Sequence, residues 1–178
     1  MIKISSLINI LKTNKTNFFT GVPDSVLKEL SIYLQSKSKK HHIIASNEGA
    51  AVSIGIGHYL STNKIPCIYM QNSGLSNALN PLISIANKKV YSIPLILIIG
   101  WRGSPRVKDE PQHKVKGKIT LEILKLLNIK YTIVRTKNDL IKFNKQIKNA
   151  KKNNDIVACL LEPGTLENNV NKKRKNFY

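Results

Sequence analysis

Three stretches of this 178-residue sequence place carboxylates, amides and cations at spacings that suit chemistry on a polar ligand. The first is Ser46-Asn47-Glu48-Gly49-Ala50-Ala51, where a carboxylate opens a helical pattern that runs on through Gly55 and Gly57. So little bulk on one side lets another backbone or a flat ligand come close. By spacing alone, Glu48 is more plainly a first-turn acid favoured by the helix dipole. The second stretch, Gln71-Asn72-Ser73-Gly74-Leu75-Ser76-Asn77, offers side-chain amides, hydroxyls and a helix N-terminus to a ligand. It reads equally well as a capped strand-to-helix connection. The third is Gly100-Trp101-Arg102-Gly103, followed by Lys108-Asp109-Glu110-Pro111-Gln112-His113. Arg102 can clamp an oxyanion with its planar fork, and His113 can exchange a proton near neutral pH. A solvated surface loop is the plainer alternative. His41 and His42 adjoin a strand start and His58 stands alone on a helix, so no metal site is expected. Neither a GxxxxGK[ST] phosphate loop nor a GxSxG elbow occurs.

The elements that must position these residues alternate along the chain. A helix over 3–13 precedes a strand at Asn17–Thr20, and Gly21-Val22-Pro23 turns into a helix through about residue 35. His42–Ala45 is a strand, and 47–61 a helix capped by Ser46 or Asn47. Ile65–Gln71 is a strand, with a helix across 74–87. The continuous apolar run at Ser92–Ile99 predicts a strand buried on both faces. A long loop over 100–116 leads to a helix at 117–127, and loops of that length are often functional. Strands at Tyr131–Val134 and Ile156–Leu161 flank a lysine-rich helix at 138–152, and 163–178 form a basic mobile tail. The expected fold is α/β, a three-layer parallel sheet with helices on both faces, in one domain over 1–162. Ligands of such sheets gather at the carboxyl ends of the strands, where all three chemical stretches fall, together with Gly21–Ser25.

Composition narrows the function classes. No apolar run reaches the roughly 20 residues that span a bilayer. The N-terminus lacks a small-residue cleavage site, and Cys67 and Cys159 lie far apart in strand-like runs. Reduced buried thiols and a cytoplasmic location follow. The net charge of +19 invites a nucleic-acid reading. Against it, arginine occurs only at 102, 106, 135 and 174, and the lysines are spread along the chain apart from Lys172-Lys173-Arg174-Lys175. A solvated surface is the expectation, with attraction of an anionic substrate or acidic partner the lesser one.

The stretches FFTGVPDSVLKEL, ASNEGAAVSIGIGHYL, YMQNSGLSNALNPL, YSIPLILIIGWRG and VKDEPQH occur in that order over roughly residues 17–135. Together they resemble the N-terminal, pyrimidine-binding domain of the phosphonopyruvate decarboxylase family, a relation shared with the sulfopyruvate decarboxylase α subunit. The resemblance implies thiamine diphosphate as cofactor, with Glu48 matching the glutamate that bonds N1′ of its aminopyrimidine ring and favours the imino tautomer. It implies decarboxylation of 3-phosphonopyruvate to phosphonoacetaldehyde and CO2, as a step in phosphonate biosynthesis. Asp24 and His113 match positions near the reacting centre, for proton transfer or substrate orientation. Gly49, Gln71, Asn72 and Ser73 fall where the cofactor would be held, and Arg102, with Asp24, is a candidate for the substrate. Family enzymes carry Mg2+ and the diphosphate on a second domain with a GDG-type motif, which this sequence lacks. The expected partner is therefore a diphosphate-binding subunit in a hetero-oligomer, with a 2-oxo acid substrate, no nucleic acid and no membrane. Sulfopyruvate as substrate, a diphosphate domain lost by truncation rather than carried on a separate subunit, and a catalytically silent regulatory subunit remain the alternatives.

Overall fold

The computed structural model of the chain describes residues 1–167. Six parallel strands form one sheet in the order β2-β1-β3-β4-β6-β5. They are β1 (Phe19–Gly21), β2 (His42–Ile44), β3 (Cys67–Gln71), β4 (Leu95–Gly100), β5 (Lys130–Ile133) and β6 (Ile156–Leu161). The fully apolar sequences of β4 and β6 are buried at every position and sit inside the sheet, flanked by neighbours on both edges.

Helices connect the strands: α2 (Lys28–Gln35), α3 (Glu48–Thr62), α4 (Leu79–Pro81), α5 (Pro111–Leu126) and α6 (Lys137–Asn153), with α1 (Ile4–Thr13) ahead of β1. Because βαβ crossovers are right-handed, the direction of each strand step fixes the face its helix covers. Steps β1 to β2 and β5 to β6 run one way, so α2 and α6 share a face, which α1 joins. The other three steps run the opposite way and put α3, α4 and α5 on the second face. The two cores follow: Ile96 and Ile98 pack with Leu7, Leu30 and Phe143, whereas Leu95, Leu97 and Ile99 pack with Val52, Leu82 and Leu124. The α/β, three-layer parallel expectation holds. No described helix is long and apolar enough to cross a membrane, and Cys67 and Cys159 are buried and unpaired.

The largest departures from the sequence pattern are in three helices. The helix after Pro23 begins only at Lys28, because the Asp24 carboxylate accepts from Val26 N at 3.1 Å and competes with helical bonding. The 74–87 helix is broken into a 3-10 turn at Asn72–Ser76, the short α4, and a π turn at Leu82–Ala86. Pro81 has no N–H for the carbonyl of Asn77, and that carbonyl faces Gly49 instead. Helix α5 starts six residues earlier than predicted, since Pro111 fits a first helical position and Gly117 is interior. His113 is therefore in the first turn of α5. The chain beyond β6 stays docked as far as 167, with Ile2 N donating to Thr165 O at 2.8 Å, Glu167 N to Ile2 O at 2.9 Å, and Leu166 buried. The cluster Lys172–Lys175 lies outside the described residues.

Gly117 sits mid-helix because the carbonyl of Gly103 rests where its Cβ would be. Gly57, in α3, has nothing within 4 Å of that point. Alanine gains about 1 kcal/mol of helix propensity at either site, whereas overpacking costs about 1–3 kcal/mol. In urea unfolding of the isolated chain, Gly57→Ala is expected to raise stability and Gly117→Ala to lower it.

Candidate active site

Strand β1 hands the chain to β2 on one side and β3 hands it to β4 on the other, so the crevice between their carboxyl ends is the topological switch point. Asp24 follows β1 and Gln71 ends β3, and their side chains meet across it: Gln71 Nε2 donates to Asp24 Oδ1 at 3.1 Å. Ser73 Oγ donates to Gln71 Oε1 at 3.2 Å, completing a polar chain of three residues. Asp24 Oδ2 lies against the α-carbon of Gly100, a position that any side chain there would fill. Burial pushes the Asp24 carboxyl above its ordinary value, while the N–H groups of Val26, Leu27 and Ser25 and the charge of Arg102 pull the other way.

Glu48 opens α3 beside this chain. Asn47 caps the helix, accepting from Ala50 N at 2.8 Å. The Glu48 side chain lies directly on Gly74 of the 3-10 turn, in the space a Cβ would need. Asn77 Nδ2 donates to Glu48 Oε2 at 3.0 Å, and Gly49 lets the Asn77 carbonyl come within 2.8 Å of its missing Cβ. Gly74 and Asn77 thus fix where the carboxylate points. Both belong to the polar glycine turn that the sequence marks out, but nothing in their spacing names Glu48 as their partner.

The remaining candidates are used differently. Asn72 is buried, and its amide is committed to protein: Nδ2 donates to Arg102 O at 3.0 Å and Thr120 Oγ1 at 2.9 Å, and Oδ1 accepts from Arg102 N at 3.0 Å. It staples the loop after β4 to β3 and α5. The Arg102 fork grips Asp109, with Nε donating to Oδ2 at 2.8 Å and Nη2 to Oδ1. Gly103 N also donates to Asp109 Oδ2 at 2.8 Å. The Arg102 hydrogen bonds hold the Asp109 carboxyl well below the usual carboxylate range. A second pair, Arg135 to Glu162 at 2.8 Å, secures the same loop through Ser104 Oγ, which donates to Glu162 Oε1 at 2.7 Å. His113 is half-buried with Nδ1 shielded from solvent and unpaired. Its carbonyl packs on Gly103, whose φ of +70° needs glycine. Among the described residues no hydrogen bond joins His113 to Asp24 or Glu48, and no group of three or more metal-ligating side chains forms.

The model for the thiamine pyrophosphate enzyme N-terminal TPP binding domain matches residues 4–124. The chain belongs to that family. A phosphonopyruvate decarboxylase of Streptomyces viridochromogenes is 35% identical over 119 residues, 67% of this chain but 29% of that protein. The sulfopyruvate decarboxylase subunit alpha of Methanococcus maripaludis is 33% identical over 147 residues, 82% of this chain and 86% of that one. Benzoylformate decarboxylase from Polynucleobacter necessarius superposes with a TM-score of 0.67 at 18% identity, over 92% of this chain and 30% of that one. That likeness is one of fold. The chain spans less than a third of the Streptomyces relative's length.

The Asp109 latch makes a pH prediction. Its folded carboxyl lies below the ordinary 3.8, so the stability it adds is full above that value and is lost as pH falls through the folded one. Asp109→Asn is expected to cost about 1–3 kcal/mol at neutral pH and to flatten the acid side of a thermal-midpoint profile. An unchanged acid slope in the variant counts against the latch.

Proposed function

We propose that this chain is the pyrimidine-binding half of a thiamine diphosphate-dependent 2-oxo acid decarboxylase, acting on 3-phosphonopyruvate to give phosphonoacetaldehyde and CO2. The observation that carries the reading is the setting of Glu48. Its Oε2 is held by Asn77, while among the described residues Oε1 accepts no hydrogen bond, at the partly open start of α3. An acceptor fixed by one neutral donor, beside glycine and alanine backbone, fits the ring N1′–H of an aminopyrimidine. When bound, the cofactor supplies a carbon nucleophile and an electron sink for the carboxylate's departure.

Glu48 holds the proton at N1′ and so sets the ring's tautomer. Asn77 and Gly74 keep its carboxylate from rotating away. Gly49 and Ser73 border the same opening, Ser73 with an oxygen still able to accept. Asp24, oriented by Gln71 and raised by burial, is suited to hold a proton near the reacting carbon. His113 is a second proton carrier, whose shielded Nδ1 favours the ring nitrogen that remains open. Asn72 and the Arg102–Asp109 pair act as the frame, with Arg102 charge felt at Asp24.

Mg2+ and the diphosphate fall to a diphosphate-binding partner. The match of 82% of this chain to 86% of a protein named as subunit alpha supports a partner on a separate chain, in a hetero-oligomer. The same match favours sulfopyruvate as a second reading of the substrate. Against it stands the Streptomyces relative, named as a phosphonopyruvate enzyme, at 35% identity.

The test is CO2 release from phosphonopyruvate and from sulfopyruvate, with thiamine diphosphate and Mg2+, by this chain alone and mixed with a diphosphate-binding chain encoded nearby. Activity only in the mixture is expected. Glu48→Gln should lower it about 10^2–10^4-fold with assembly intact. Asn77→Ala, removing one hydrogen bond worth about 1 kcal/mol, should cost about fivefold. Full activity in Glu48→Gln would falsify the assignment.

A further inference from the structure

The chain Ser73–Gln71–Asp24 runs from the Glu48 side of the sheet's carboxyl edge toward the α2 side. There a cavity of about 290 Å3 opens between Ser25–Glu29 and the loop after β4. Its charged lining is Lys28, Glu29, Arg102, Lys108 and Asp109. We infer that this cavity takes the tetrahedral oxyanion head of the substrate, a phosphonate or sulfonate, with Lys28 and Lys108 as the cations that select it. The inference rests on the decarboxylase reading above for the identity of the substrate, but not for the existence of the anion site.

The lining sets Lys28, Lys108 and Arg102 against Glu29 and Asp109, a net of one positive charge that the two lysines carry. Arg102 borders the cavity, yet its Nε and Nη2 are on Asp109, so the pair is internally neutral and offers little attraction of its own. Lys28 and Lys108 come from different segments and, among the described residues, make no ion pair. Both are exposed, which suits cations that meet an incoming anion. An ammonium on a flexible stem is a point charge that accepts any oxygen of a tetrahedral group, where a guanidinium fork demands two in a plane.

The position of Asp24 adds direction. A substrate with an anion at each end is repelled by the Asp24 carboxylate whenever that group is ionised. Ser25 and Val26 of the lining follow Asp24 directly in the chain, so a head group among the lysines sits next to the Asp24 end of the crevice. An unsubstituted 2-oxo acid, with nothing to set against Lys28 and Lys108, is then expected to be a poor substrate.

The test needs neither cofactor nor partner. Methylphosphonate at pH 8 and methanesulfonate are titrated separately into the 178-residue chain and followed by backbone amide shifts. Either probe should shift amides of Ser25–Glu29 and Val107–Asp109, and the tighter of the two names the head group. The double variant Lys28→Gln/Lys108→Gln should bind about tenfold more weakly or worse, whereas Lys148→Gln/Lys151→Gln, two exposed lysines of α6 that do not line the cavity, controls for net charge. No saturable shift with either probe, shifts elsewhere in the chain, or equal binding by the double variant overturns the site. Specific binding here, combined with no decarboxylation by the assembled enzyme, would keep the site and remove the proposed reaction.

Discussion

One buried amide, that of Asn72, fixes the relation between the pieces of this site. It ends β3's contribution, grips both the N–H and the carbonyl of Arg102, and reaches Thr120 on α5. A buried amide left without partners would cost far more than each bond contributes, so the three elements move together or not at all. The 3-10 turn that carries Gly74 and Asn77 starts at this residue, and the loop that carries Arg102 and Gly103 is hung from it. The placement of Glu48 on one side and of Asp109 on the other thus depends on a side chain that need touch no ligand.

Around that anchor the long loop after β4 is built as a rigid arch. Trp101 is buried and donates through Nε1 to Gly117 O at 3.0 Å. Gly103 and Gly117 meet backbone to backbone. Two guanidinium–carboxylate pairs, Arg102–Asp109 and Arg135–Glu162, close its two halves. A loop fixed by backbone contacts and forked ion pairs keeps its shape when a ligand arrives, and preorganisation of that kind lowers the cost of binding.

Much of this architecture was legible because it follows from local pattern. The unbroken apolar run at β4 announced a strand buried on both faces, and Ser46-Asn47 announced the start of α3. The segments that hold Glu48, Asp24 and Gln71 could be picked out because they lie at strand ends, where such sheets gather ligands, whereas the choice of Glu48 and Asp24 within them came from the family resemblance. What stayed hidden depends on residues distant in sequence. Gly117 read as the start of a helix because its helical penalty is local, whereas its reason, the carbonyl of Gly103, lies fourteen positions away. Arg102 read as an oxyanion clamp because nothing in the spacing says that Asp109 already fills its fork. Asn72 and Asn77 share a segment and a residue type, yet one is buried as a staple and the other is exposed beside Glu48.

The carboxylates of this chain divide by the partner each one takes. With 29 basic residues against 10 acidic ones, cations are available almost everywhere on this chain. Asp109, Asp139, Asp155 and Glu162 each take one as partner. Glu48 and Asp24 do not: their side-chain partners are the amides of Asn77 and Gln71. A cation at hydrogen-bond distance would stabilise the ionised form and drain the carboxylate's basicity, as Arg102 does to Asp109. A neutral amide fixes direction while taking little of that basicity away. In a chain so rich in lysine, holding these two acids on side-chain amides runs against the local supply of charge, and Asp24, raised by burial, keeps its capacity to hold a proton.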